Sequence, residues 1–373
     1  GGTSTALTIG PAEGVMLGTG TTFGLTISGT STAFGSTLSG TQSMSAWNQA
    51  WSGTGSKVDI SLNTCGTSSS GGLADLYGTA SAANAVSIGN GSTAVAANAV
   101  ALGQNADGGA TNAVAIGVDS DANGDASVAI GSKVTADSLG SIAIGENAIA
   151  NGSQRSLAVG WRSQSTALAS TAIGDQAVAT NNQSLAVGWT ANAAGFSGVA
   201  IGSAANAAGG NSTAIGTLAS ASESNSIAFG YLATASAEKS IAIGFNSDAT
   251  AANSYAAGTD SLANDVNALA VGVKAQANAV NASAIGVNAM ANDVNAQAFG
   301  VDSLANAANA VAIGVKSRSE ATNAIAIGST ANSTKANSVA VGTLSTADGV
   351  NATAIGTDAG ATAVNTTAIG PGS

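Results

Sequence analysis

The side chains of this chain that could do chemistry are carboxylates. Asp119, Asp121, Asn123 and Gly124 match the first half of an EF-hand calcium loop. Such a loop needs a carboxylate at its twelfth position, and Ile130 stands there, so that reading fails. A second arrangement survives. Asp107 and Asp121 lie 14 residues apart, which the repeat described below makes equivalent places in consecutive turns of the chain. Their carboxylates are expected to stack, with Asp119 and Asp125 nearby. Stacked like charges repel unless a cation or water intervenes. Calcium on Asp107, Asp119, Asp121 and Asp125 is one expectation. A solvated acidic face is the preferred one, since oxygen ligands from one strand rarely suffice. No other cofactor is expected.

Catalysis finds little support. There is no His in the 373 residues, so no Ser/His/Asp or Cys/His set can form. The lone Cys65 excludes an internal disulfide and a cysteine zinc cage. The Gly-x-Gly stretch at Gly18–Gly20 lies in a low-complexity tract with no helix pattern after it, as a phosphate loop would need. A non-enzymatic protein is expected.

Composition narrows the class further. Charged residues are 8%, aromatics 3%, and Gly contributes 50 residues. Apolar content is 45%, but much of it is Ala. Such a chain cannot fill a thick core, so it must bury small side chains in a thin one, many times over. The net charge of −11 argues against nucleic acid and anionic lipid as partners. No apolar run reaches the roughly 18 residues that span a bilayer, so no membrane insertion by this segment is expected. The chain begins with Gly1 rather than Met, so a processed or trimmed start is expected.

The elements that position these residues come from a repeat. A glycine closes each Ala-Ile-Gly-like tripeptide from Gly89 to Gly370, giving 21 units. Every step is 14 residues except that from Gly145 to Gly160, which is 15. The extra residue is placed in a turn near Asn151–Arg155. The residue before each glycine is apolar, as in Ile116 and Ile313. Two before it stands Ala in 20 of 21 units, as in Ala115, Ala228 and Ala312, with Ser87 the exception. Five before it stands Asn in 14 of 21.

This alternation has period two, which is a strand pattern. Gly and Asn tolerate the left-handed backbone of tight turns. Each unit therefore reads as two short strands and two turns, one coil of an all-β, parallel β-roll or β-solenoid. Coils stacked at about 4.8 Å would make a rod of roughly 100 Å. Near-invariant Ala marks a confined contact, either inside the coil or against a neighbouring chain. So thin a coil leaves an apolar ladder in water, and such a ladder is an association surface.

The units Asn112–Gly117 (Asn-Ala-Val-Ala-Ile-Gly), Asn225–Gly230 and Asn337–Gly342 resemble the head repeat of trimeric autotransporter adhesins, the YadA-like head. The resemblance covers roughly residues 82–370. It implies a left-handed parallel β-roll, a homotrimer of chains side by side, an extracellular or cell-surface location, and attachment to a host or surface receptor. Adhesins of this kind continue into a coiled-coil stalk and a membrane anchor, whereas this sequence stops at Gly370-Pro371-Gly372-Ser373. A fragment is one explanation. A self-assembling extracellular filament or a phage tail fibre built on similar repeats is the alternative.

Two domains are expected: residues 81–373 as the solenoid, and residues 1–80 as a segment without the repeat. That segment is rich in Gly, Ser and Thr and holds Trp47 and Trp51. It reads as a cap over the open solenoid end, as a strand donor joining subunits end to end, or as an adhesive tip. The place just after the glycine carries Trp161, Trp189, Tyr231 and Phe245, then Val273, Val287, Val301 and Val315. An aromatic row there could meet a glycan or protein receptor. Since Val fills the same place, a corner packed against a neighbouring chain is the preferred reading. Asn-x-Ser/Thr triplets such as Asn211 and Asn281 read as turn residues of the repeat.

Overall fold

The structure is a computed structural model, and it describes residues 78–373. The readings of residues 1–77, including Trp47, Trp51 and Cys65, lie outside the described residues.

Each unit folds into two strands and two turns. A three-residue strand ends just before the glycine, as in Val114–Ile116, Ile227–Phe229 and Val311–Ile313. A two-residue strand begins four residues after it, as in Thr234–Ala235 and Arg318–Ser319. Strands of one kind pair only with their own kind, in parallel and in register. Val114 faces Val128 in one ladder, and Ser220 faces Thr234 in the other. The chain is therefore a β-solenoid that advances one coil per repeat.

The first ladder holds 21 three-residue strands, from Val86–Ile88 to Thr367–Ile369. The second runs from Gly78–Ala80 to Gly360–Ala361 and narrows to single bridged residues at Asp121 and Thr135. The longer coil is visible in the register. Thr135 still pairs with Ile149, whereas Leu139 pairs with Gln154 and Ile142 with Leu157. The added residue thus sits between Ala150 and Gln154, in the turn where the sequence placed it.

The core is a stack of methyl groups and hydroxyls. Four places per coil point inward: four and two before the glycine, and three and five after it. Ala113, Ala115, Ser120 and Ala122 fill them in one coil, all fully buried. Ala228 and Ala312 are likewise fully buried, so the near-invariant Ala is confined inside the coil. Val134 is the largest fully buried side chain among the described residues. Serine substitutes for Ala mostly where its hydroxyl turns back onto the backbone, though Ser127, Ser156 and Ser212 bury theirs without a partner. Ser120 donates to the Gly117 carbonyl at 3.1 Å, and Ser240 to the Ala237 carbonyl at 2.6 Å. A buried hydroxyl so paired avoids the desolvation cost of an orphaned one.

The turns fix the rest of the pattern. Gly230 has φ +138, and a methyl on it would overlap the carbonyl oxygen of Gly244 in the next coil. Backbone conformation and stacking together exclude any side chain there. Each coil also holds two left-handed residues, one two places after the glycine and one five places before it. Asn105 and Asn112 fill these places at φ 52 and 59. Asn is favoured because its short polar side chain accepts this conformation.

Candidate assembly and adhesion surfaces

The two ladders present different faces to water. In the first, the places one and three before the glycine alternate with buried Ala and so point outward. They are mostly Val, Ile and Leu. Ile142 is 37% exposed, Ile243 38% and Ile285 39%. Two corner columns extend this face: the residue just after the glycine, such as Val273, and the residue eight after it, such as Val266, Val294 and Val350. All four of these valines stand exposed. The two ladder columns are apolar along most of the rod, and valine in the corner columns widens the face from Val266 to Val301, whereas Asp125, Glu146, Asp175 and Glu238 make the corners polar elsewhere.

The second ladder turns outward the places four and six after the glycine. These are mainly polar, as in Thr234 and Ser236, or Asn192 and Asn206. Val95, Ile149, Val178, Leu262, Met290 and Leu304 are the larger apolar exceptions.

Side-chain amides tie the coils together along the axis. Asn309 donates to Asn323 at 3.0 Å, and the chain of such bonds runs from Asn267 to Asn365 without a gap. A second column carries Asn246 on Asp260 and Asn288 on Asp302, both at 2.9 Å. A third joins Asn278, Asn292 and Asn306 on the polar face. Each bond in these columns reaches the next coil in the same register as the main-chain ladder.

The structure stacks Asp107 and Asp121 as expected, bridging them in parallel on the polar face. Thr93 donates to Asp107 at 2.5 Å. Partial burial pushes the Asp121 carboxyl up from its ordinary value of 3.8, and the charges of Asp107, Asp137 and Asp119 push it the same way. Asp137, not singled out in the sequence, thus joins the group. Asp125 does not: it sits in the next turn, where it accepts the Thr111 backbone N–H at 3.2 Å. Asp119 is held from another side by the Asn105 amide at 2.9 Å. Among the described residues no three carboxylates converge as a metal cage requires.

The aromatic residues stand on the corner that follows the glycine. Trp161 is 38% exposed, Trp189 57%, Tyr231 45% and Phe245 51%. Tyr231 and Phe245 occupy adjacent coils and stack, with ring centroids 5.3 Å apart and planes 20° from parallel. Trp161 and Trp189 are separated by the coil of Asp175. The Arg162 guanidinium lies over the Trp161 ring, 4.2 Å from its centroid.

The geometry matches a known repeat. The family described as YadA head domain repeat (2 copies) matches the chain in eleven segments, from residues 80–106 to 347–373. The chain belongs to the YadA head repeat family. The matched residues are those of the solenoid, so Gly117, Gly230 and Gly314, with Ala115, Ala228, Ala312, Ile116 and Ile313, are head-repeat positions. A solved structure, the collagen-binding domain of the Yersinia adhesin YadA, is 26% identical over 40% of this chain and 67% of that one, with a TM-score of 0.26. No curated protein matches.

The sequence pattern missed two features. One is the valine run eight after the glycine, at Val266, Val280 and Val294, hidden because the same column carries Asp125, Asn182, Ser224 and Glu238 in other coils. The other is the half-coil symmetry, in which left-handed residues recur every seven positions. Its residues vary from Asn to Lys, Thr and Leu, so only the backbone records it. The Asn at every fourteenth residue was the visible half of that signal.

Proposed function

We propose that this YadA-like head is a rigid, non-enzymatic adhesive rod at the cell surface, assembled from three parallel copies. The observation that carries the reading is the continuous apolar face of the first ladder. Large side chains left in water along some 20 coils are an association surface. A second copy in the same register covers them ladder against ladder, and a three-fold arrangement closes the assembly with no apolar ladder left free. Membership of a head family supports the adhesive role and the extracellular location. The polar ladder then faces outward and presents Asn, Thr and Ser to a receptor.

Light scattering tests the assembly. The intact protein is expected at three times its 35.0 kDa chain mass. Ile243→Asp places a charge in the apolar face and is expected to lower that mass. A wild-type protein that runs as single chains sinks the reading.

A further inference from the structure

We propose that the corner carrying Trp161 and Trp189 binds an uncharged, extended glycan of equatorially linked pyranose rings, laid along the rod axis. The inference rests on the adhesive reading and names a ligand class for it.

One column of residues, the place after the glycine, is used in two ways. From Val273 to Val315 it is Val in four consecutive coils, as a corner packed against another chain requires. From Trp161 to Thr217 it reads Trp161, Asp175, Trp189, Ser203, Thr217. Rings there alternate with polar groups. A chain–chain contact would bury Asp175 without a partner, at a cost of several kcal/mol in principle. The fold does not need indoles at this corner, since Val, Ser and Thr serve it elsewhere. Yet Trp189 holds 57% of its surface in water. Large exposed rings beside hydrogen-bonding groups mark a recognition site.

The spacing selects the ligand. Two coils separate the indoles, which at the parallel-strand spacing is about 10 Å. That is close to two pyranose rings of an extended, equatorially linked glycan. Alternate sugars then lay their apolar C–H faces on Trp161 and Trp189. The sugar between them meets the exposed Asp175 carboxylate, which accepts its hydroxyls. Arg162 restrains the Trp161 ring through the cation–π contact at 4.2 Å, which lowers the ordering cost on binding. The net charge of −11 and Asp175 itself repel polyanionic glycans, so the ligand is neutral.

The test uses the intact protein with cellohexaose and chitohexaose as probes, followed by calorimetry. Binding of at least one is expected, weakened about tenfold or more by Trp189→Ala and by Trp161→Ala. Thr343→Ala, in the same column, is expected to bind as wild type does. Melting temperature and assembly mass are measured for every variant, and both are expected to hold. Failure of the wild type to bind either probe at millimolar concentration overturns the proposal. So does undiminished binding by both tryptophan variants, or a fall in assembly mass in them, which would make the corner a chain–chain contact. A single-chain wild type that still binds would overturn the trimer and leave this site standing.

Discussion

Two stretches of the same rod differ in how their coils are tied. From Asn267 to Asn365 the turn column is all Asn, and seven amide bonds link it without a break. Between Ala126 and Ser197 the same column reads Ala126, Gly140, Arg155, Ala169, Gln183 and Ser197. One side-chain bond survives there, from Ser197 to Gln183 at 3.2 Å. The irregular stretch also holds the added residue and both corner tryptophans. The three-residue ladder pairs alike in both, while the second ladder narrows to a single bridged residue at Thr135 in the irregular stretch. The fold therefore depends on the ladders and the small core, and the amides add to it. Where they are absent, the corners carry varied side chains.

The largest expected effect is common to both stretches. Gly174→Ala in the irregular stretch and Gly314→Ala in the regular one place a methyl against the next coil's carbonyl, 2.4 Å and 2.5 Å away. Each should cost about 3 kcal/mol or more, combining backbone strain with overpacking. Urea unfolding checks it, and tolerance at one site alone would show that the stretches differ in their stacking. Asn309→Ala should come next. It removes two amide bonds and the residue type best suited to φ 59, at about 1–2 kcal/mol. Gln183→Ala in the irregular stretch should cost well under half of that, and equal losses would erase the distinction drawn here.

Smaller gains are expected where the corners are strained. Leu232 is left-handed at φ 57, so Leu232→Asn should stabilise by about 0.5–1 kcal/mol, read as a raised melting temperature. The smallest effect is at the acidic stack. Burial and neighbouring charges raise the folded-state pKa of Asp121 above its ordinary 3.8, so the folded chain holds that proton more tightly than the unfolded one. Its contribution favours folding at low pH and is lost as pH rises from about that value through the raised one. Asp121→Asn should flatten this dependence and melt slightly higher at neutral pH.

The coil itself was legible in the sequence because one residue type per position was required. Only Gly fits the place of Gly117, and only Ala or Ser the place of Ala115. Assigning the Ala column to the interior needed coordinates, because Ala and Ile alternate in Ala115–Ile116 and either could face inward. The seven-residue turn symmetry was hidden for a different reason. Asn105, Lys133, Arg162 and Leu218 share a backbone conformation and no chemistry. For the acidic group, stacking of Asp107 and Asp121 follows from the repeat, whereas the surroundings of Asp125 and Asp137 depend on which way each turn residue points.

Disulfide trapping tests the central claim, that copies meet through the apolar ladder and leave the polar one free. In a chain with Cys65→Ser, a single cysteine is introduced as Ile285→Cys on the apolar face or Gln276→Cys on the polar face. Mild oxidation should yield covalent dimers from the first and none from the second. Dimers from Gln276→Cys alone, or equally from both, would contradict the account.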